Sequence, residues 1–174
     1  LGAFETGEES YGVDILKRMA RKISRDGKVA FLYDWEGQDI GGGPRCWCGA
    51  ELMHAQCAGL AGVVDNDKLF ADVTLSPRFA AAHEPCASVR LEYACSGKAV
   101  EYDFAADYQA RSLSVKLFSD HHNAKLRLYL PDGASASAVS RNGQPTAWHD
   151  ELVGQSHYAC VDSLVAGDTI VVQY

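Results

Sequence analysis

No run of apolar residues approaches the roughly 18 that a membrane-spanning helix needs, so no membrane partner is expected. Clusters of positive charge are scarce as well. The densest is Lys17-Arg18 with Arg21-Lys22, set against 23 acidic residues and a net charge of −7. Nucleic acid, which rewards many cations on one face, is therefore excluded as a partner. No P-loop, GxGxxG, HExxH or GxSxG occurs, so nucleotide and zinc-protease chemistry have no support in the sequence. There is no internal repeat, no low-complexity tract and no long linker.

What remains is a chain of 174 residues with 47% apolar and 22% charged content, the profile of an ordinary globular domain. A chain this long buries about 70% of its unfolded surface and needs no disulfide or metal to hold a core. It opens on Leu1 rather than Met, from which we expect a chain processed, trimmed or cut from something longer.

Two regimes meet near Asp65. Before it, Tyr11 to Ser24 puts Ile15, Leu16, Met19, Ala20 and Ile23 on one stripe with basic residues opposite, the pattern of an amphipathic helix capped by Ser10. A second helix, about Trp47 to Ala61, is apolar nearly all round and must be covered on most sides. From Lys68 onward the period is 2. Ser88 to Tyr93, Val100/Tyr102/Phe104, Leu113/Val115/Leu117, Leu126/Leu128/Leu130, Ser156 to Val161 and Asp168 to Tyr174 read as strands. Asn142-Gly143 is the strongest turn signal, since both residues tolerate the positive φ of a type I′ hairpin. The prediction is a mainly β fold: an antiparallel β-sandwich of seven or eight strands over residues 66–174, preceded by a helical segment of about two helices over 1–65.

Between the helices, a predicted loop from Asp26 to Arg45 concentrates Tyr33, Asp34, Trp35, Glu36 and a glycine run. Carboxylates two apart in extended chain project to opposite sides, so Asp34 and Glu36 are not both members of one acid/base pair. Inverting glycoside hydrolysis needs an acid and a base carboxylate about 6.5–9.5 Å apart, and Glu36 is a candidate base beside a distant partner. Tyr33, Trp35 and Trp47 are candidates to stack on a pyranose, and solvated acids or core aromatics are the plainer readings. Among the six cysteines, His54 and Cys57 share a helix face at i, i+3, but Cys46-x-Cys48 is not a zinc-finger spacing. Neither a metal nor another cofactor is expected. Cys95 and Cys160, in the strand region, leave a cross-sheet disulfide open.

The order of these pieces resembles the C-terminal end of glycoside hydrolases built on an (α/α)6 barrel with a β-sandwich tail, the layout of trehalases, processing α-glucosidases and α-rhamnosidases. The resemblance rests on Trp47-Cys-Gly-Ala-Glu-Leu52, Gly59-Leu-Ala-Gly62-Val63, Leu75-Ser-Pro-Arg-Phe79 and the sandwich with Asn142-Gly143. It implies a carbohydrate partner and a general base where Glu36 precedes Trp47, with Asp34, Glu5, Glu8 and Glu9 as rivals. Phe79 stands where the family usually has tryptophan. Such a barrel has many more helices than the two read here, and its general acid lies far upstream. The resemblance thus implies an inverting glycosidase portion that is inactive alone, with helix 47–61 covered by the missing barrel helices or by self-association. The alternative is a non-catalytic carbohydrate-binding or structural sandwich, with Tyr102, Tyr108, Trp148 and Tyr158 as an aromatic platform.

Overall fold

The computed structural model describes residues 1–34, 36–44 and 46–174; for residues 30–33, 41–44, 46 and 132 it describes the backbone alone. Helix α1 (Gly2–Glu5) leads into α2 (Glu9–Asp26), which ends at Gly27 in the left-handed conformation with its N–H donating to Ile23 O at 2.7 Å. The buried face of α2 is Glu9, Gly12, Val13 and Leu16, so of the predicted stripe only Leu16 is buried: Met19 and Ile23 are half-buried, Ile15 and Ala20 face solvent, and the helix starts one residue before Ser10. Periodicity counts side chains, whereas this face is set by an absent one. A Cβ on Gly12 would lie 2.9 Å from the ring of Phe4, so the bare backbone lets the helix settle onto that ring.

In place of the predicted loop, β1 (Ala30–Tyr33) and β2 (Asp39–Pro44) form an antiparallel hairpin. Strand β2 reads Asp-Ile-Gly-Gly-Gly-Pro and has no alternation, so its pairing left no periodic signal. Helix α3 (Cys46–His54) follows and runs into a π-helical turn, Ala55–Leu60. The expected cover over this second helix is incomplete, since Trp47 and Met53 are 56% and 62% exposed.

The remaining strands are β3 (Val63–Asp65), β4 (Asp72–Leu75), β5 (Cys86–Tyr93), β6 (Lys98–Asp107), β7 (Ser112–Leu117), β8 (Asn123–Tyr129), β9 (Ala138–Arg141), β10 (Gln144–Pro145), β11 (His149–Val153), β12 (Ser156–Val161) and β13 (Thr169–Gln173). They form one sheet of order β10-β9-β13-β7-β6-β5 and another of order β11-β12-β8-β4-β3. Every pairing is antiparallel except β4 with β8. This is the predicted β-sandwich, with extra strands too short to show alternation. Its inner faces bury Val100, Tyr102, Phe104, Leu113, Val115 and Leu117 of one sheet against Leu126, Leu128 and Tyr158 of the other. Asn142 and Gly143 have φ of 53° and 77° and join β9 to β10, as the turn signal predicts.

The start of β13 is fixed by a buried acid. Asp168 pairs with Arg141 Nη2 at 2.5 Å and accepts from Val165 N–H at 2.7 Å and from the Asn142 amide at 2.9 Å. Burial alone would raise its carboxyl, but the Arg141 guanidinium, the Val165 N–H and the Asn142 amide outweigh that and hold it below the usual carboxylate range. A carboxyl depressed in the folded state stabilises the protein above its unfolded pKa, about 4, and stops doing so as the pH falls through the lower folded value. Denaturant midpoints are therefore expected to drop below about pH 4, with a shallower drop in Asp168→Asn. Equal slopes for the two proteins would exclude Asp168 from the acid response.

Candidate functional site

The β1–β2 hairpin closes through Asp34. Its N–H donates to Gln38 O at 2.9 Å, its Oδ1 accepts from Gln38 N–H at 2.7 Å, and its carbonyl accepts from Gly37 N–H at 3.0 Å. Gly37 supplies the φ of 77° that the turn requires. The Asp34 carboxylate thus holds the turn by accepting from a main-chain N–H four residues on. Glu36 sits at the tip of this turn and is exposed. Trp35 and the side chain of Tyr33 lie outside the described residues. Trp47 lies in the first turn of α3, directly after β2, with its indole largely in solvent rather than in the core. The hairpin so gathers Asp34 and Glu36 on one turn, and chain order puts Trp47 just beyond it.

A second polar centre joins the helices to the sandwich. Arg78 is 5% exposed; its Nη1 donates to Gly59 O at 2.6 Å and Ser76 O at 3.2 Å, and its Nε donates to the Tyr158 hydroxyl at 3.2 Å. The Tyr158 hydroxyl donates onward to Glu9, whose other oxygen accepts from Ser156 Oγ at 2.5 Å. Arg127 stacks 3.7 Å from the centre of the Tyr158 ring and is paired by two nitrogens with Glu151. Burial pushes the Tyr158 phenol up. Glu9, a sequence-level rival for the base, is therefore a buried structural carboxylate. Sequence reasoning gave Arg78 no role of its own, although it is the one charge in the otherwise neutral stretch from Val73 to Ala82. An isolated arginine at the entry to a sandwich was the available signal.

The aromatic platform of the alternative reading does not form. Tyr102 and Tyr158 are fully buried, the first with its hydroxyl on Ala61 O. Tyr108 and Trp148 are half-buried, and Trp148 lines a small cleft with His149, Cys160 and Asp162. Cys48, Cys57, Cys86, Cys95 and Cys160 are free thiols, so Cys95 and Cys160 are not paired, and burial pushes Cys160 up to about 12. Among the described residues no group of three or more His, Cys, Asp or Glu side chains is placed to hold a metal ion. Nor, among them, is any helix long and apolar enough to cross a membrane.

A further cleft, of about 370 Å³, opens between the π-helical turn and the ends of β3 and β5. Tyr93, 38% exposed at the end of β5, forms one wall with Phe70, the ring centres 4.6 Å apart. The Tyr93 hydroxyl donates to Asp65 Oδ2 at 2.9 Å, and the same carboxylate accepts from Phe70 N–H at 3.2 Å. This hydrogen bond to Asp65 raises the Tyr93 phenol.

No family model and no curated protein matches the chain. Solved structures similar to part of it include a cycloalternan-forming enzyme from Listeria monocytogenes in complex with a pentasaccharide substrate, at 13% identity and TM-score 0.44, over 59% of this chain and 10% of that one. A protein described as a glycoside hydrolase matches at 15% identity and TM-score 0.45, over 74% of this chain and 20% of its own. A Flavobacterium johnsoniae GH31 dextranase complexed with glucose matches at 9% identity and TM-score 0.42, over 63% and 17%. This chain therefore spans at most one fifth of any of the three.

Proposed function

We propose that this chain is the C-terminal portion of a glycoside hydrolase acting on oligosaccharides by inversion, with residues 1–65 as the end of an (α/α)6 barrel and 66–174 as its sandwich tail. The observation that carries the reading is Trp47, left 56% exposed on the helix entered directly from the hairpin that holds out Glu36. Leaving a large apolar side chain in water forgoes about 2–3 kcal/mol, and an indole face is well matched to the C–H face of a pyranose. In this scheme Asp34 fixes the turn, Glu36 is the general base that activates water, and Tyr33, Trp35 and Trp47 line the sugar. The matching acid, about 6.5–9.5 Å from the base, belongs to helices outside these 174 residues, so the isolated chain binds sugar without cleaving it. The upstream helices also cover the part of helix 47–61 around the exposed Met53, which lies outside the cleft lined by His54, Cys57 and Ala58.

A panel of α- and β-linked oligosaccharides tests this. Tryptophan emission of the chain is expected to change saturably with at least one oligosaccharide, and Trp47→Ala is expected to abolish the change. Reducing-sugar release should stay at the background rate for the chain and for Glu36→Gln alike. Flat emission and flat calorimetry across the panel would overturn the reading. Turnover that Glu36→Gln abolishes would instead place a complete site within the chain and overturn the half-site.

A further inference from the structure

We propose that the cleft between the π-helical turn and the ends of β3 and β5 binds an uncharged hexopyranose residue of an oligosaccharide, at a site distinct from the hairpin. The proposal rests on the preceding reading only for preferring a sugar to another ring compound.

The cleft has the size of a ligand site rather than of a packing defect, since pockets that hold small molecules run from about 300 to 1,000 Å³. Its walls are of two kinds. Phe70, Leu91 and Tyr93 supply apolar surface, and His54, Asp65 and Glu92 supply hydrogen-bonding groups at the rim. A pyranose has the same division, with C–H bonds on its faces and hydroxyls round its edge. Tyr93 is held ready for it: the hydroxyl is tied to Asp65, the ring leans on Phe70, and yet more than a third of the residue remains open. An aromatic fixed from behind loses little freedom when a ligand stacks on its front.

The loop that builds this wall is shaped for the purpose. Leu69 and Phe70 both have positive φ, 56° and 58°, a conformation that side-chain-bearing residues avoid. Asp65 stabilises it by accepting from Phe70 N–H at 3.2 Å and Asp67 N–H at 3.4 Å. One carboxylate thus positions both aromatic rings. The charge at the rim selects the class of sugar. Glu92 is paired with Arg90 at 2.8 Å, but Asp65 keeps its charge at the cleft and no lysine or arginine lines it, so uronates, sulfated sugars and sugar phosphates find a carboxylate without a lining cation, whereas neutral hydroxyls can donate to it.

Cys57 lines the same cleft and is half-buried, with its thiol pushed up by burial, whereas Cys86 and Cys95 are exposed and lie outside it. Alkylation of the 174-residue chain by iodoacetamide at mildly alkaline pH, resolved by peptide mass spectrometry, therefore reports on occupancy. Maltotriose, cellotriose and mannotriose are the neutral probes, and trigalacturonate is the anionic one. At least one neutral probe is expected to slow Cys57 labelling about fivefold while Cys86 and Cys95 keep their rates. Tyr93→Ala is expected to weaken that probe about tenfold and to remove the protection, and Tyr93→Phe, which keeps the ring, to weaken it only about twofold to threefold. Trp47→Ala should leave the protection intact. Binding that is lost in Trp47→Ala but indifferent to Tyr93→Ala overturns this cleft and leaves the hairpin reading standing. Absence of Cys57 protection by every neutral probe, or equal protection by trigalacturonate, also overturns it.

Discussion

Arg78→Met is expected to lower the unfolding free energy by about 3–5 kcal/mol, measured by denaturant titration at neutral pH. The guanidinium is buried where α2, the π-helical turn and the sandwich meet. It serves the carbonyls of Gly59 and Ser76 and the Tyr158 hydroxyl, and it lies 5.7 Å from the centre of the Phe4 ring. Methionine keeps most of the volume and the contact with Phe4, so the loss isolates the cation and its donors. What it strands is the costly part: two buried carbonyls without their donor, and the Glu9 carboxylate without the positive charge it reaches through Tyr158. Lysine should rescue little, since one ammonium cannot span acceptors that a planar fork reaches on two sides. Glu9→Gln in the Arg78→Met background should cost less than in the parent by about 0.5–3 kcal/mol, because the carboxylate has already lost its partner. Strict additivity would mean that the two groups act independently, and a loss below about 1 kcal/mol would mean that Arg78 is not the junction's anchor.

Gly62→Ala is expected to prevent folding. The residue has φ of 67°, and a Cβ placed on it would stand 1.8 Å from Ser76 O. The two segments are clamped at this point, since Ser76 N–H donates to Gly62 O at 2.7 Å. An alanine pays about 1–2 kcal/mol for the left-handed backbone and must also force the strands leaving it apart, against a total stability of about 5–15 kcal/mol. Gly97→Ala is the control. Its φ of 65° is nearly the same, but nothing lies within 4 Å of the added carbon, so only the backbone cost of about 1–2 kcal/mol should appear. Circular dichroism and thermal melts of the two variants separate strain from collision. Similar melting points would remove the steric argument at Gly62.

The sandwich was legible because its long strands alternate and its faces bury one side each. Leu113, Val115 and Leu117 announce both the strand and the inner face, and Asn142-Gly143 announces the turn. The helical part was less so. In α2 the decisive contact is between Phe4 and Gly12, and a glycine is invisible to a count of apolar side chains. The hairpin escaped notice because three glycines and a proline in β2 carry no alternation, and pairing there depends on the Asp34 turn instead. Asp34 and Glu36 were found together since they are neighbours in sequence, although which one is occupied by the turn appears only in the geometry. The Tyr93 cleft draws residues from positions 54 to 93 on separate elements, and the Arg78 centre reaches from Glu9 to Tyr158. Chemistry assembled by packing has no local spacing to read.

The bonds from Glu9 to Ser156 and Tyr158 join residues 147 and 149 apart in the chain. Closing so long a loop is unrewarded until β12 is in its sheet, so the Glu9 end of α2 is fixed only after the sandwich has formed. Within these residues the Glu9 contact is then made in an order nearly opposite to that of synthesis: the start of α2 waits for β12. Val13 and Leu16, by contrast, pack on Leu52, Ala55, Leu60, Ala81 and Ala82, so that face is covered by segments that precede β12 and only the Glu9 end of α2 waits for it.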